Sequence, residues 1–121
     1  MKQFDISNDE FLTLDGEIWF DNFAFNKDRI ESAIKRKIGN LDEFIFDFTF
    51  QRRTKYTVHL QQVKGNYLVG YHGNKDNKDN CKVTCHMFTF ENTMFLYGKW
   101  LEDYKDSVWY CTLDLTSRET Y

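Results

Sequence analysis

The sequence has little of what several large classes of protein require. Its three cysteines, Cys81, Cys85 and Cys111, are odd in number and too few for a disulfide framework. No hydrophobic run approaches the roughly 18 residues of a membrane-spanning helix, which argues against a membrane protein of that kind. No apolar segment follows Met1 and Lys2 as it would in a signal peptide. We therefore expect a cytoplasmic protein with reduced thiols.

Familiar catalytic motifs are missing as well. The chain has no Gly-rich phosphate loop, nucleophile elbow, dinucleotide fingerprint or metalloprotease helix. Cys81, Cys85 and His86 have a spacing that suggests zinc, but zinc requires about four convergent ligands. In a strand the two cysteines would share a face about 13 Å apart, and His86 would point the other way. The sequence thus predicts no metal, no cofactor and no enzymatic activity.

Large apolar side chains are plentiful. Aromatic residues make up 18% of the chain and hydrophobic residues 41%, which excludes a disordered protein. A chain of 121 residues has the length of one domain and can bury roughly two-thirds of its unfolded surface. We predict a single domain covering residues 1–121.

Charge is distributed unevenly along the chain, with a net value of −3. Residues 1–26 contain one lysine and six acidic residues, whereas residues 27–64 contain nine basic and five acidic residues. Arg52, Arg53 and Lys55 lie beside aromatic residues, as in a site for single-stranded nucleic acid. However, a nucleic-acid-binding protein should be basic overall. The mild acidity favours a basic protein partner instead.

Residues 27–38 have the pattern of a helix. Asn26 is a suitable N-cap, acidic residues occupy the first turn, basic residues occupy the last turn, and Gly39 follows. The hydrophobic residues at helical spacing are Ile30, Ala33, Ile34 and Ile38. The sequence predicts one helix over about 27–38.

Beyond Gly39 the hydrophobic pattern changes to a period of two, which is typical of strands. The predicted strands cover about 43–50, 56–61, 66–72, 82–90, 94–101 and 108–115. Two more, at 11–14 and 17–23, flank Asp15-Gly16, a strong signal for a tight turn. We predict an α+β, mostly β fold: an antiparallel up-and-down meander of about eight strands. A closed or half-open barrel would remove exposed edges, and an open curled sheet crossed by the helix is the alternative.

The last three predicted strands are hydrophobic on both faces. Leu96, for example, is followed by Tyr97, although successive side chains of a strand point in opposite directions. A strand with one wet face should alternate with polar residues. Something must cover the second face: the helix, the N-terminal segment, a second copy in a homo-oligomer, or a partner.

The meander over about 43–115, with the stretch 96–103 and the later Trp109, resembles the calycin type of small barrel, which includes lipocalins, fatty-acid-binding proteins and avidins. The resemblance is architectural and implies one candidate function, the carriage of a small apolar ligand inside the barrel. The residues expected to line that interior are Phe44, Phe46, Phe48, Val58, Val69 and Leu96.

The composition is similar to that of bacterial immunity proteins, which neutralise toxins. This similarity implies a non-enzymatic inhibitor that covers the basic active site of a nuclease-like toxin domain. Tyr and Trp are frequent in such interfaces. Loops 73–81 and 102–107 should lie at the same end of the meander and form one acidic surface. The predicted partner-binding residues are Asp76, Asp79, Glu102, Asp103, Tyr104 and Asp106.

Overall fold

The computed structural model describes residues 9–12, 15–21, 27–73 and 81–114. Nine β-strands make up the regular structure of these residues. They are β1 (Asp9–Leu12), β2 (Asp15–Phe20), β3 (Asp28–Ile38), β4 (Leu41–Phe50), β5 (Thr54–Lys64), β6 (Tyr67–His72), β7 (Lys82–Phe90), β8 (Thr93–Glu102) and β9 (Lys105–Asp114). Across these ranges no helix has the length and hydrophobicity needed to cross a membrane.

The strands close on themselves. From β3 to β9 each strand pairs antiparallel with the next one along the chain. Strand β2 pairs with β9 on one edge and with the start of β3 on the other, and this joins the two ends of the meander. Strands β2–β9 therefore form an eight-stranded, closed antiparallel barrel. The predicted barrel is confirmed, and it is closed.

The predicted helix over 27–38 is wrong, because residues 28–38 form strand β3. The ladder between β3 and β4 shifts register between Ile30 and Ser32, so one extra residue is inserted there. Such a bulge places Ile30 and Ala33 on the same, buried side of the strand although they are three residues apart. A spacing of three is also helical, and the strand therefore has a helix-like hydrophobic stripe.

The predicted tight turn at Asp15-Gly16 is also wrong. Strands β1 and β2 both pair antiparallel with β3, so they run in the same direction and form no hairpin. Gly16 has a different role, because a Cβ atom there would overlap the carbonyl oxygen of Thr112 on β9. Glycine at this position allows the two strands that complete the barrel to approach closely.

Alternation along each strand directs one set of side chains into the barrel. The buried core consists of Ile18, Phe20, Ile30, Ala33, Phe44, Phe46, Phe48, Val58, Leu60, Leu68, Val83, Cys85, Met94, Leu96, Trp100, Trp109, Cys111 and Leu113. The Trp109 ring is 6.3 Å from that of Phe46 and 5.9 Å from that of Trp100, so rings from β4, β8 and β9 meet inside. Burial of each large side chain contributes roughly 1.5–3 kcal/mol.

Candidate functional site

The interior of the barrel contains five of the six residues predicted to line a ligand cavity. Phe44, Phe46, Phe48, Val58 and Leu96 all point inward and are at most 2% exposed. They pack against one another and against the tryptophans described above. The prediction for the sixth residue is wrong: Val69 points outward, because its neighbour Leu68 is the residue directed into the core.

A row of exposed and half-buried aromatic rings crosses the outside of the barrel. Tyr67 pairs with His86, His86 with Tyr97, Tyr97 with Tyr110, and Tyr110 with Trp19, so the row spans five adjacent strands. The ring centroids are 5.1 Å apart for Tyr67 and His86, 5.3 Å for Tyr97 and Tyr110, and 5.4 Å for Trp19 and Tyr110. We call these five residues the outer aromatic row.

More aromatic surface adjoins the row. Phe88 and Phe95 face each other across β7 and β8 and are 54% and 40% exposed. Phe90 is 68% exposed. At the other end of the row, the Lys27 ammonium lies 5.1 Å from the ring centroid of Trp19. The row together with Phe88, Phe90 and Phe95 forms what we call the outer aromatic face. It contains the second hydrophobic side that the sequence predicts for the last strands.

A second aromatic cluster lies at the end of the barrel where β2, β4, β6 and β8 finish. It surrounds a pocket of about 350 Å³. The residues lining this pocket, which we call the aromatic mouth, are Phe20, Phe50, Tyr56, Trp100, Glu102, Asp103, Lys105 and Ser107. Because the lining comes from β2, β4, β5, β8 and β9, the site exists only in the closed barrel.

The Glu102 carboxylate is held inside the aromatic mouth by two donors. The Tyr56 hydroxyl donates to Oε2 at 2.7 Å, and the Trp100 indole Nε1 donates to Oε1 at 3.0 Å. Burial raises the pKa of Tyr56 well above its ordinary value, and the hydrogen bond to Glu102 raises it further. Tyr56 therefore remains a neutral donor, and Glu102 is fixed in place by charge-assisted hydrogen bonds.

His72 lies directly beneath this cluster. Its ring stacks on Trp100 with centroids 4.3 Å apart and an interplanar angle of 5°. Nε2 is 2.9 Å from the carbonyl oxygen of Leu101 and donates to it, since a carbonyl can only accept. Burial lowers the pKa of His72, so at neutral pH the ring adds no positive charge below the pocket.

The predicted partner-binding residues have different environments. Glu102 is partly buried, as described, whereas Asp103 and Tyr104 form the β8–β9 turn with positive φ angles of 53° and 63°. Tyr104 is 84% exposed. Asp106 is exposed on β9, opposite Leu101. Asp76 and Asp79 lie outside the described residues.

The strand ends that flank residues 74–80 do lie at the same end as the β8–β9 turn. The amide of His72 donates to the carbonyl of Cys81 at 3.0 Å, which joins the end of β6 to the residue that precedes β7. His72 is in turn bonded to Leu101 at the end of β8. The predicted common end of these two connections is therefore confirmed at their strand ends.

The cysteines are part of the core. Burial raises the pKa of the Cys85 thiol to about 12 and that of Cys111 well above its ordinary value, so neither is a reactive thiolate at neutral pH. Cys81 is buried too, whereas His86 lies on the outside in the aromatic row. Over the described ranges no cluster of three or more histidine, cysteine or acidic residues is arranged to hold a metal ion.

The strands β2–β9 form a closed, eight-stranded antiparallel barrel, which is consistent in architecture with the small calycin-like barrels. This barrel carries the two aromatic surfaces described above. Comparison with protein-family models, with curated protein sequences and with solved structures yields no match. The sequence predicted the hydrophobic outer side of the last strands but not the aromatic mouth. Tyr56, His72 and Trp100 are far apart in the chain, and only their inward-facing parity indicated that they share the interior.

Proposed function

We propose that this barrel is a non-enzymatic protein-binding inhibitor, of the kind represented by bacterial immunity proteins that neutralise a toxin domain in the cytoplasm. The observation that carries the proposal is the outer aromatic face. Phe88, Phe90 and Tyr97 are about half exposed or more, on strands whose other side already fills the core. Aromatic rings that contribute little to the core and remain in water are typical of a binding surface.

The arrangement of the outer aromatic row supports a protein partner. The rings of Trp19 and Tyr110 are stacked with an interplanar angle of 14°, so their planes are nearly parallel. Tyr and Trp bury a large area on binding and have few rotatable bonds to order, and their polar atoms can bond to a partner. A row that spans five strands is wide enough to be the centre of an interface rather than a single anchoring point.

The packed interior weakens the alternative function, carriage of an apolar ligand inside the barrel. Carriage requires an internal cavity, but Phe46 and Trp109 meet across the interior. The aromatic mouth has the charged residue Glu102 in its wall. A second pocket, on the outside of the barrel beside β5 and β6, has Glu43 and Lys82 in its wall. Such walls favour a polar ligand over an apolar one.

The acidic turn at the mouth supplies the electrostatic part of the proposal. Asp103 and Asp106 flank the exposed Tyr104 at one end of the barrel. The active site of a nuclease must be basic to hold phosphates. An acidic, aromatic edge placed over such a site would exclude the substrate without chemistry, and attraction between opposite potentials would speed the encounter.

The test is to co-express the chain with the nuclease toxin domain encoded beside its gene, purify the complex and assay nuclease activity. The double variant Tyr97→Ala/Tyr110→Ala should weaken the complex by about 2 kcal/mol or more, since these are central aromatic residues. Tyr71→Ala is the control, because Tyr71 on β6 also has a stacked aromatic neighbour, His59 on β5, but is not one of the residues of the outer aromatic face.

Three results would contradict the proposal. The first is that no complex forms, and the second is that a complex forms but nuclease activity is unchanged. The third is that the double variant and Tyr71→Ala weaken the complex equally. Sedimentation of the chain alone adds a fourth: a stable dimer that disappears in the double variant would assign the face to a second copy instead.

Charge reversal at Asp103 and Asp106 should slow association at low salt and have less effect at high salt.

A further inference from the structure

The rings of the aromatic mouth surround its pocket in different orientations. Phe20 meets Trp100 at 4.9 Å and 84°, and it meets Phe50 at 5.8 Å and 89°. Tyr56 meets Trp100 at 5.7 Å and 79°. Because each contact is edge to face, the four ring planes do not align into one stack. The faces of aromatic rings are electronegative, and aromatic side chains that line a pocket can therefore attract a cation.

The charged groups of the pocket strengthen this preference. Two carboxylates, Glu102 and Asp103, and one ammonium, Lys105, line it. Glu102 is fixed between Tyr56 and Trp100, at the boundary between the rings and the rim. The His72 ring beneath is neutral at neutral pH and does not oppose a positive ligand. The pocket therefore combines an aromatic lining with one more carboxylate than ammonium.

We propose that the aromatic mouth binds a small organic cation, an alkylammonium or guanidinium group, between its rings and the Glu102 carboxylate. A volume of about 350 Å³ accommodates one compact head group. The group could come from a free amine or from a lysine or arginine side chain of a protein. This site is separate from the outer aromatic face, so the proposal stands without the inhibitor function.

The experiment is a titration of the ¹⁵N-labelled chain with choline and with its uncharged isostere 3,3-dimethylbutan-1-ol. The readout is the indole N–H signal of Trp100, which the Trp100→Phe variant identifies. We expect a saturable shift with choline and binding of the alcohol weaker by about tenfold, as cation–π attraction predicts. Equal binding of the two compounds, or no shift with choline, would overturn the proposal.

Variants assign the binding to the carboxylate. Glu102→Gln should weaken choline binding by about tenfold, whereas Glu91→Gln, a matched neutralisation in the exposed β7–β8 turn at the other end of the barrel, should leave it unchanged. Because Glu102→Gln also alters two internal hydrogen bonds, Lys105→Gln provides the opposite test: removal of the like charge should tighten binding. Unchanged affinity in both pocket variants would contradict the proposal.

Two further arms distinguish the source of the cation. N-acetyl-arginine amide and N-acetyl-lysine amide test whether a side chain in a peptide setting enters the pocket as choline does. Saturating choline is then added to the complex with the toxin domain. Release of the partner indicates that its basic side chain occupies the mouth, and an unchanged complex indicates a free amine. Failure of the inhibitor function leaves the choline titration intact, so the two proposals fail separately.

Discussion

Two faces of the barrel cover the same interior with different chemistry. On β3–β5 several outward side chains are polar and paired: Arg36 Nε donates to Glu43 at 2.7 Å, and Asp47 accepts from Ser32 and Thr57. The large exposed hydrophobic residues of these strands are aliphatic, Ile38 and Val63. On β6–β9 and β2 the outward side chains include those of the outer aromatic face. Both sets of strands nevertheless contribute large buried residues to one core.

The polar face shows what a strand of this barrel needs when only its inner side is buried. Phe44, Phe46 and Phe48 alternate with acidic and apolar residues, and the acidic ones find partners on neighbouring strands. This arrangement stabilises the barrel without exposed rings. The rings on the opposite face are therefore not required by the core, and this is the reason for our proposal that they contact another molecule.

The first prediction tests whether the two faces really rest on one interior. Phe46 is on the polar side of the barrel, but its ring contacts Trp109 from the aromatic side. Phe46→Ala should lower the free energy of unfolding by about 3–5 kcal/mol, because it removes a buried ring and leaves a cavity. Chemical denaturation measures the effect. A loss below about 1 kcal/mol would mean that the two sides are not packed against each other.

The second prediction concerns His72, which joins β6 to β8 inside the barrel. Burial lowers its pKa in the folded state, so between its ordinary pKa and the lowered value the unfolded chain binds a proton that the native chain does not. Stability should therefore fall as the pH drops below about 6.5, with a slope of at most about 1.4 kcal/mol per pH unit from this one group.

Denaturation at several pH values measures that slope in the wild type and in His72→Gln. The variant should have a flatter dependence, whatever its stability at neutral pH. An identical slope in the two proteins would show that His72 is as easily protonated in the fold as in the unfolded chain.

The sequence was sufficient for the meander but not for the N-terminal third. From β4 onward each strand buries one side and has a period of two, which depends only on local alternation. The bulge near Ile30 and the close approach at Gly16 are produced by pairing with β4 and β9. Both features have local patterns that also fit a helix or a turn, and only the distant strands select the observed structure.

The candidate sites differ in the same way. The outer aromatic face was predictable as a second hydrophobic side. Side chains alternate between the two sides of a strand, so the sequence of one strand is enough to show which residues share a side. The aromatic mouth was not, since it requires closure of the barrel to bring Phe20 next to Trp100 and Tyr56 next to Glu102. Glu102 was predicted as a partner-binding residue on its charge. Its hydrogen bond from Tyr56 depends on that closure, whereas the one from Trp100 is made within β8.

The third prediction separates stability from binding on the aromatic face. Tyr97 is 49% exposed and contacts Tyr110 across β8 and β9. Tyr97→Ser should cost about 1 kcal/mol or less of stability, the usual range for a cross-strand pair. Thermal denaturation provides the measurement. A loss as large as that of Phe46→Ala would show that Tyr97 belongs to the core and would remove the contrast between the faces.

The fourth prediction tests the opposite side and has the smallest expected effect. The ion pair between Arg36 and Glu43 is well formed, but the Arg36 side chain is 39% exposed. Water and salt screen such a pair, so Glu43→Gln should change the free energy of unfolding by less than about 1 kcal/mol, and by less still in about 1 M salt. A loss of several kcal/mol that persists in high salt would mean that this ion pair is essential to the barrel. In that case the outer side of β3–β5 would itself be needed for stability. It could then no longer serve as the reference with which the outer aromatic face is compared.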